Sequence, residues 1–304
     1  MTGARVAGYR LLGRRLDYLL HLRPAEWPIM AAHTALGYLL AVGVRGSTGE
    51  RLGDGLLGLL LWVACLNGGT LALNSAFDRD EGDIAYLRNP PPPPRRLAAF
   101  SLGLMSLGQV VALALPPLFG ALYALCFVLS VLYSVPPCRL KAVAGADWLI
   151  NMAGFGTLTP LAGWATTGRP VDAVAWIVLL AFCPLFAALY PLTQLYQAEE
   201  DARRGDRTLA LMLGARRSLD VALAATAAAF ALFAWAAARS AWLGAGAGWR
   251  WGLLALALLS WAAVLVPWRL NAERLPPEAH QRGMYFALGA WAVTDLAVLI
   301  VWGT

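Results

Sequence analysis

The sequence predicts an all-α fold: a polytopic membrane bundle of about nine transmembrane helices around a central cavity open to the cytoplasmic side. Three observations support this. Of 304 residues, 59% are hydrophobic and only 14% charged, with a mean hydropathy of +0.60; a soluble chain of this length does not hide so much apolar surface. Nine stretches approach the ~20 apolar residues that a helix needs to cross a bilayer, at roughly 27–45, 54–77, 97–116, 118–135, 146–167, 172–197, 218–239, 249–270 and 283–303. With nine crossings, 19 of the 24 Lys and Arg residues fall on one side, leaving only Arg45, Arg51, Arg169, Arg239 and Arg250 on the other. The positive-inside rule puts the richer side, with the N-terminus, in the cytoplasm.

The elements follow in order. Residues 1–24 carry Arg5, Arg10, Arg14, Arg15 and Arg23 among Leu and Tyr, the pattern of a basic amphipathic segment lying on lipid headgroups. Residues 25–304 form a single transmembrane domain with no separate soluble unit. Pro116 and Pro117 divide the third span from the fourth as a tight helical hairpin. Eight of the 18 acids sit in two loops, after spans two and six. Each of those spans is the second member of a quartet, so two pseudo-repeated four-helix halves plus a last helix are expected. The net charge of +6 is dispersed over short loops, which points to membrane lipid rather than nucleic acid. Cys65, Cys126, Cys138 and Cys183 show no metal-type spacing and imply no disulfide framework. No removable signal peptide is expected.

Chemistry gathers at the mouths of spans two and six. Asn74, Asp78 and Glu81 fall at i, i+4 and i+7 of a helix, so their oxygens share one face. Gly82 then stops the helix and leaves Asp83 on the following turn. An asparagine with carboxylates is the oxygen-rich set that Mg²⁺ prefers when substrate phosphates complete its shell. In the second cluster Gln197 and Asp201 stand at i, i+4, with Glu200 adjacent. Two such clusters on one membrane side can clamp a diphosphate through Mg²⁺. Between them in sequence, Arg139 and Lys141 lie in a short loop, either as topology anchors or as a phosphate hook. The five prolines at 90–94 read as a stiff spacer of ~15 Å leading to span three.

The order Asn-x-x-x-Asp-Arg with further acids, then Tyr-Ser-x-Pro-Pro-x-Arg-x-Lys, then a second acidic motif running into Gly-x-Arg-Thr-Leu, resembles the UbiA-type intramembrane prenyltransferases. The resemblance covers about residues 26–303. It implies that both acidic motifs bind Mg²⁺ and the diphosphate of a polyprenyl donor. By position, the metal set falls on Asn74, Asp78, Glu81, Asp83, Gln197, Glu200 and Asp201. The diphosphate set falls on Asn74, Arg79, Arg88, Arg139 and Lys141, and Asp78, Asp201 and Lys141 are the catalytic candidates. This chain departs from the pattern at Ser75, Gly82 and Gln197, where the family commonly has acids. Asp80, Glu81, Asp83, Glu199 and Glu200 are the available substitutes, so the second carboxylate of each motif stays open.

The implied reaction is Mg²⁺-dependent transfer of a polyprenyl group from its diphosphate to a lipophilic acceptor, an aromatic or quinone precursor or an isoprenoid, with release of diphosphate. An allylic cation needs a dry pocket with π-faces; Tyr133, Phe155, Tyr190 and Tyr196 are candidates. Asp147 and Asn151 either orient the acceptor or serve as a helix cap and an inter-helix bond. Asp295, mid-way along the last span, reads as a packing group. An intramembrane terpene cyclase is the alternative enzyme, and a transporter or lipid-binding protein the alternative of another class. The expected setting is the cytoplasmic membrane of a bacterium, with the active site on the cytoplasmic side. No partner protein is implied.

Overall fold

The computed structural model describes residues 3–46, 49, 51–78, 87, 89–143, 145–198, 202–203, 205, 208–242 and 246–304. Regular structure among them is helical. Two short helices come first, α1 (Gly3–Leu12) and α2 (Arg15–His21), separated by Gly13 at φ +54°. Both were expected on the headgroups, but α2 docks on the bundle. Leu22, just past its end, forms a small core with Ala72 and Leu97, and Tyr18 packs edge-on against Phe100 at 5.2 Å.

The bundle proper consists of α3 (Trp27–Val42), α4 (Leu52–Asp78), α5 (Leu97–Ala112), α6 (Pro117–Ser134), α7 (146–165), α8 (Ala173–Gln194), α9 (Leu209–Arg239), α10 (Gly248–Asn271) and α11 (Pro277–Gly303). A helical body thus stands at each predicted span among the described residues. Six of them, α4, α6, α8, α9, α10 and α11, are long and apolar enough to cross a membrane. The helices at spans one and three have 16 residues each, ~24 Å at 1.5 Å per residue, short of the hydrocarbon thickness. Pro116 and Pro117 do make the tight α5–α6 hairpin, with Pro117 opening α6. The seventh helix begins earlier than its hydropathy suggested, because the apolar run 209–213 is helical up to a kink at Gly214, whose φ is +73°.

Two apolar cores organise these helices. One gathers residues of α4, α5, α6 and α7, with Trp62, Phe119 and Tyr123 at its centre. The other is built on α8 to α11 around Phe182, Phe233 and Trp261. Glycine permits one very close crossing between α3 and α7. A Cβ on Gly37 would meet the Pro160 carbonyl oxygen at 1.6 Å, and one on Gly163 would meet the Thr34 carbonyl oxygen at 1.8 Å. Small residues let backbones approach where lipid gives no hydrophobic drive to pack.

Two stretches interrupt α-helical winding, Leu61–Asn67 within α4 and Met152–Leu158 within α7, both with π-type hydrogen bonding. Such an insertion re-aims side chains and recurs at functional sites. Both stretches face the same cavity.

Candidate active site

Asp78 is the last described residue of α4, and its carboxylate lies toward the C-terminal, adverse end of the helix macrodipole. The chain answers with cations from the loop between α6 and α7. Lys141 Nζ is in direct ion-pair contact with Asp78 Oδ1, and Arg139 Nη2 lies 3.6 Å from the same oxygen. Lys141 and Asp78 side chains are each 11% exposed, so the pair is poorly screened and worth more than a surface pair. Arg139 holds its position at φ +35°, in the left-handed region, and the short helical turn Leu140–Ala142 then presents Lys141.

One turn earlier on α4, Asn74 Oδ1 accepts a hydrogen bond from Ser134 Oγ at 3.0 Å, which ties the ends of α4 and α6 together. Ser75, standing where an acid was expected, is buried and accepts from Arg23 Nη2 at 3.3 Å. The N-terminal helices also hold the proline connector. His21 Nε2 lies 3.1 Å from the Pro91 carbonyl and Arg5 Nη1 donates to the Asn89 carbonyl at 2.8 Å.

The mouth of α8 is built differently. Its last residue, Gln194, is buried. Gln194 Nε2 donates to Asp147 Oδ2 at 2.9 Å, and its Oε1 accepts from the Ala210 amide at 3.2 Å, satisfying a free N–H in the first turn of α9. Asp147 Oδ1 accepts from the Gly145 amide at 2.9 Å, and Asn151 Nδ2 donates to the Asp147 carbonyl at 2.7 Å. Asp147 therefore serves as a cap and brace. Gln197 is half-buried in the turn after α8. Arg79, Glu81, Asp83, Arg88, Glu200 and Asp201, the remaining residues of the expected metal and diphosphate sets, lie outside the described residues.

Below Asn74 opens a cavity of about 720 Å³, counting its open part, between α3, α4, α6 and α7. None of the described residues that line it is charged. Asn74, Asn67 and Trp62 descend one wall from α4, and Asn151 and Phe155 stand on α7. Trp62 Nε1, from the first π-wound stretch, donates at 3.3 Å to Oγ1 of Thr159, the residue just past the second. Tyr133 lines the cavity and shares a 2.9 Å hydrogen bond with Tyr190, while Phe155 stacks on Phe186 at 5.1 Å. Of the aromatic candidates, Tyr133 and Phe155 border the cavity and Tyr190 stands directly behind Tyr133.

Sequence reasoning missed a buried pair on the far side of α7. His33 Nδ1 lies 3.1 Å from Asp295 Oδ1, its Nε2 lies 3.1 Å from the Gly156 carbonyl, and its ring packs against Phe182 and Trp291. Asp295 is thus the packing group that was expected, joining α11 to α3 and the π-wound stretch of α7. The available signal was a lone His in one apolar span and a lone Asp in another.

A carboxylate and an amide oxygen, Asp78 and Asn74, one turn apart at an open helix end, fit a hard divalent cation by donor type. Among the described residues no three His, Cys, Asp or Glu converge as a complete metal site; the further acids of both clusters belong to the undescribed segments. The arrangement can hold an anion and a cation at its rim and a long apolar molecule beneath. Fold and rim together are those of a helical membrane bundle with a charged mouth above an apolar cavity.

Comparison with known proteins agrees. Residues 30–289 match the UbiA prenyltransferase family, and the chain belongs to that family. It is 29% identical over 205 residues to a digeranylgeranylglyceryl phosphate synthase of Natronomonas pharaonis, covering 66% of this chain and 70% of the relative. A UbiA homologue from Archaeoglobus fulgidus, solved with GPP and Mg²⁺, superposes with a TM-score of 0.66 at 19% identity, covering 94% of this chain and all of the other. A UbiA homologue from Aeropyrum pernix K1 gives a TM-score of 0.63 at 18% identity, over 90% and 96% of the two chains.

Proposed function

We propose that this prenyltransferase moves a polyprenyl group from its diphosphate to a lipophilic acceptor, with Mg²⁺, at the end of the bundle where α4 and α8 open. The observation that carries the reading is the vertical order of the site. Asp78, Lys141 and Arg139 form a charged rim, and an uncharged cavity lies directly under it. Structures of a UbiA homologue from Archaeoglobus fulgidus, bound to GPP and Mg²⁺ and to DMAPP and Mg²⁺, support the donor and metal assignment. Asn74 and Asp78 would hold the metal together with the Gln197 amide oxygen and acids drawn from Glu81, Asp83, Glu200 and Asp201.

Lys141 and Arg139 are the cations within reach of a diphosphate at this rim, with Arg79 and Arg88 proposed beside them. As the C1–O bond of the donor breaks, the electron pair leaves with the diphosphate, and these cations stabilise the growing negative charge. A bound Mg²⁺ would neutralise further charge on the leaving group. The allylic cation develops in the dry cavity beside Tyr133 and Phe155. The acceptor then bonds to C1 and releases a proton. The proposed topology has nine crossings with the site facing the cytoplasm of a bacterial cell.

The test is diphosphate release from geranylgeranyl diphosphate by purified protein, with and without Mg²⁺. Release that needs both metal and an added acceptor supports transfer. A cyclised hydrocarbon formed without acceptor would replace transfer with the cyclase reading. An inert donor in the presence of metal and a range of acceptors would sink both.

A further inference from the structure

Asn67 interrupts the apolar middle of α4, seven residues below Asn74 and so about 10 Å deeper at helical rise. It closes the π-wound stretch Leu61–Asn67, it lines the cavity, and it is only 6% exposed. Its Nδ2 is buried without a hydrogen-bond partner. The other polar side chains around it are satisfied from within the protein. Thr70 donates to the Leu66 carbonyl and shares a bond with Ser130, Ser130 donates to the Cys126 carbonyl, and Thr159 donates to the Gly154 carbonyl. Native structures seldom bury an unpaired amide donor, because desolvation is then uncompensated. The surrounding walls, Leu66, Leu129 and Phe155 among them, supply no partner.

A hydrocarbon tail cannot satisfy this amide, whereas an oxygen on a second substrate can. We infer that Asn67 is a specificity-determining residue for the acceptor, which enters the cavity with an uncharged, oxygen-bearing portion such as a hydroxyl or carbonyl placed at Asn67. The inference rests on the transfer reading above and adds the chemical class of the acceptor's buried part. An amide both donates and accepts, so a phenol or alcohol hydroxyl satisfies it best. A carboxylate at this depth finds no cation among the described lining residues and would be desolvated without compensation.

Three naphthalenes of matched shape test it: 1-naphthol, 1-methylnaphthalene and 1-hydroxy-2-naphthoate. Their equilibrium binding is measured on the full chain with Mg²⁺ and inorganic diphosphate present. The expected result for wild type is about tenfold tighter binding of 1-naphthol than of 1-methylnaphthalene, the factor of one net buried hydrogen bond, with the carboxylate weakest. Asn67→Leu should bring the naphthol-to-methylnaphthalene ratio near one while retaining 1-methylnaphthalene binding, which also certifies the pocket. Where Asn67→Leu does not fold, Asn67→Ala is judged by the same ratio. An unchanged ratio in the variant, as when a water alone meets the amide, or carboxylate binding as tight as that of 1-naphthol, overturns the inference. Turnover of geranylgeranyl diphosphate with 1-naphthol is followed in parallel. Its absence would count against transfer, and the binding ratios would still decide the role of Asn67.

Discussion

The ends of α4 and α8, the second and sixth helices of the bundle, are held by opposite physics. At α4 a carboxylate, Asp78, sits between a lysine and an arginine from a neighbouring loop. At α8 the terminal side chain is the neutral Gln194, pinned to Asp147 and to the backbone of α9. The first mouth is charged and partly open, so its contacts can be exchanged for those of a ligand. The second is buried and fully hydrogen-bonded, so its described part acts as a frame. Two helix ends in one bundle thus differ, one left with exchangeable charge and the other locked into the packing.

The largest expected effect lies at the charged mouth. Asp78→Ala should lower kcat/KM for Mg²⁺-dependent diphosphate release by ~10³-fold, the scale of losing a principal electrostatic group, and EDTA should have the same effect on wild type. Activity within tenfold of wild type would remove Asp78 from the site. At the frame, Asp147→Ala should destabilise the fold by roughly 2–3 kcal/mol, because it removes a cap and strands the Gln194 amide. Thermal unfolding in detergent reads this, and the donor KM of the surviving fraction should stay within about twofold. A large KM change with normal stability would make the α8 mouth a substrate site after all. Lys141→Ala should raise the donor KM ~10-fold, and Arg139→Ala, 3.6 Å from Asp78, only ~3-fold, as a charge loses influence with distance. Equal effects would mean that the two cations share the diphosphate evenly. Smallest of all, Ser134→Ala frees Asn74 from α6 and should cost about 1 kcal/mol or less, seen as a slight loss of stability with kcat nearly unchanged.

Much of the charged mouth was legible in advance. Asn74 and Asp78 share a face by helical period, and the basic loop at Arg139 and Lys141 was recognisable by its composition. That Lys141 grips Asp78 was not legible, because one lies in a loop and the other on a helix distant in sequence, and they meet only when α4 and α6 pack side by side. At α8 the second acidic cluster was read from Gln197, Glu200 and Asp201, of which Glu200 and Asp201 lie outside the described residues. Capping was one of two readings of Asp147, but Gln194, an ordinary polar residue, gains its role only from meeting Asp147 and α9. Asn67 and His33 were passed over for the same reason: a single polar residue in an apolar helix announces nothing until its neighbours are known. Glu81, Asp83, Glu200 and Asp201 remain proposals from spacing and resemblance.

The sequence by itself determined that this chain is a membrane bundle, roughly where its helices lie, and which helix mouths collect charge. Those properties are local, since length, hydropathy and helical period depend on residues near one another along the chain. Tertiary structure decided which cation meets Asp78, that Asp295 joins His33 beneath the Gly156 carbonyl, and that one amide in the cavity wall is left without a partner. Inside a helix the backbone satisfies its own hydrogen bonds, so the side chains must find partners on other helices, and only packing settles which ones they meet.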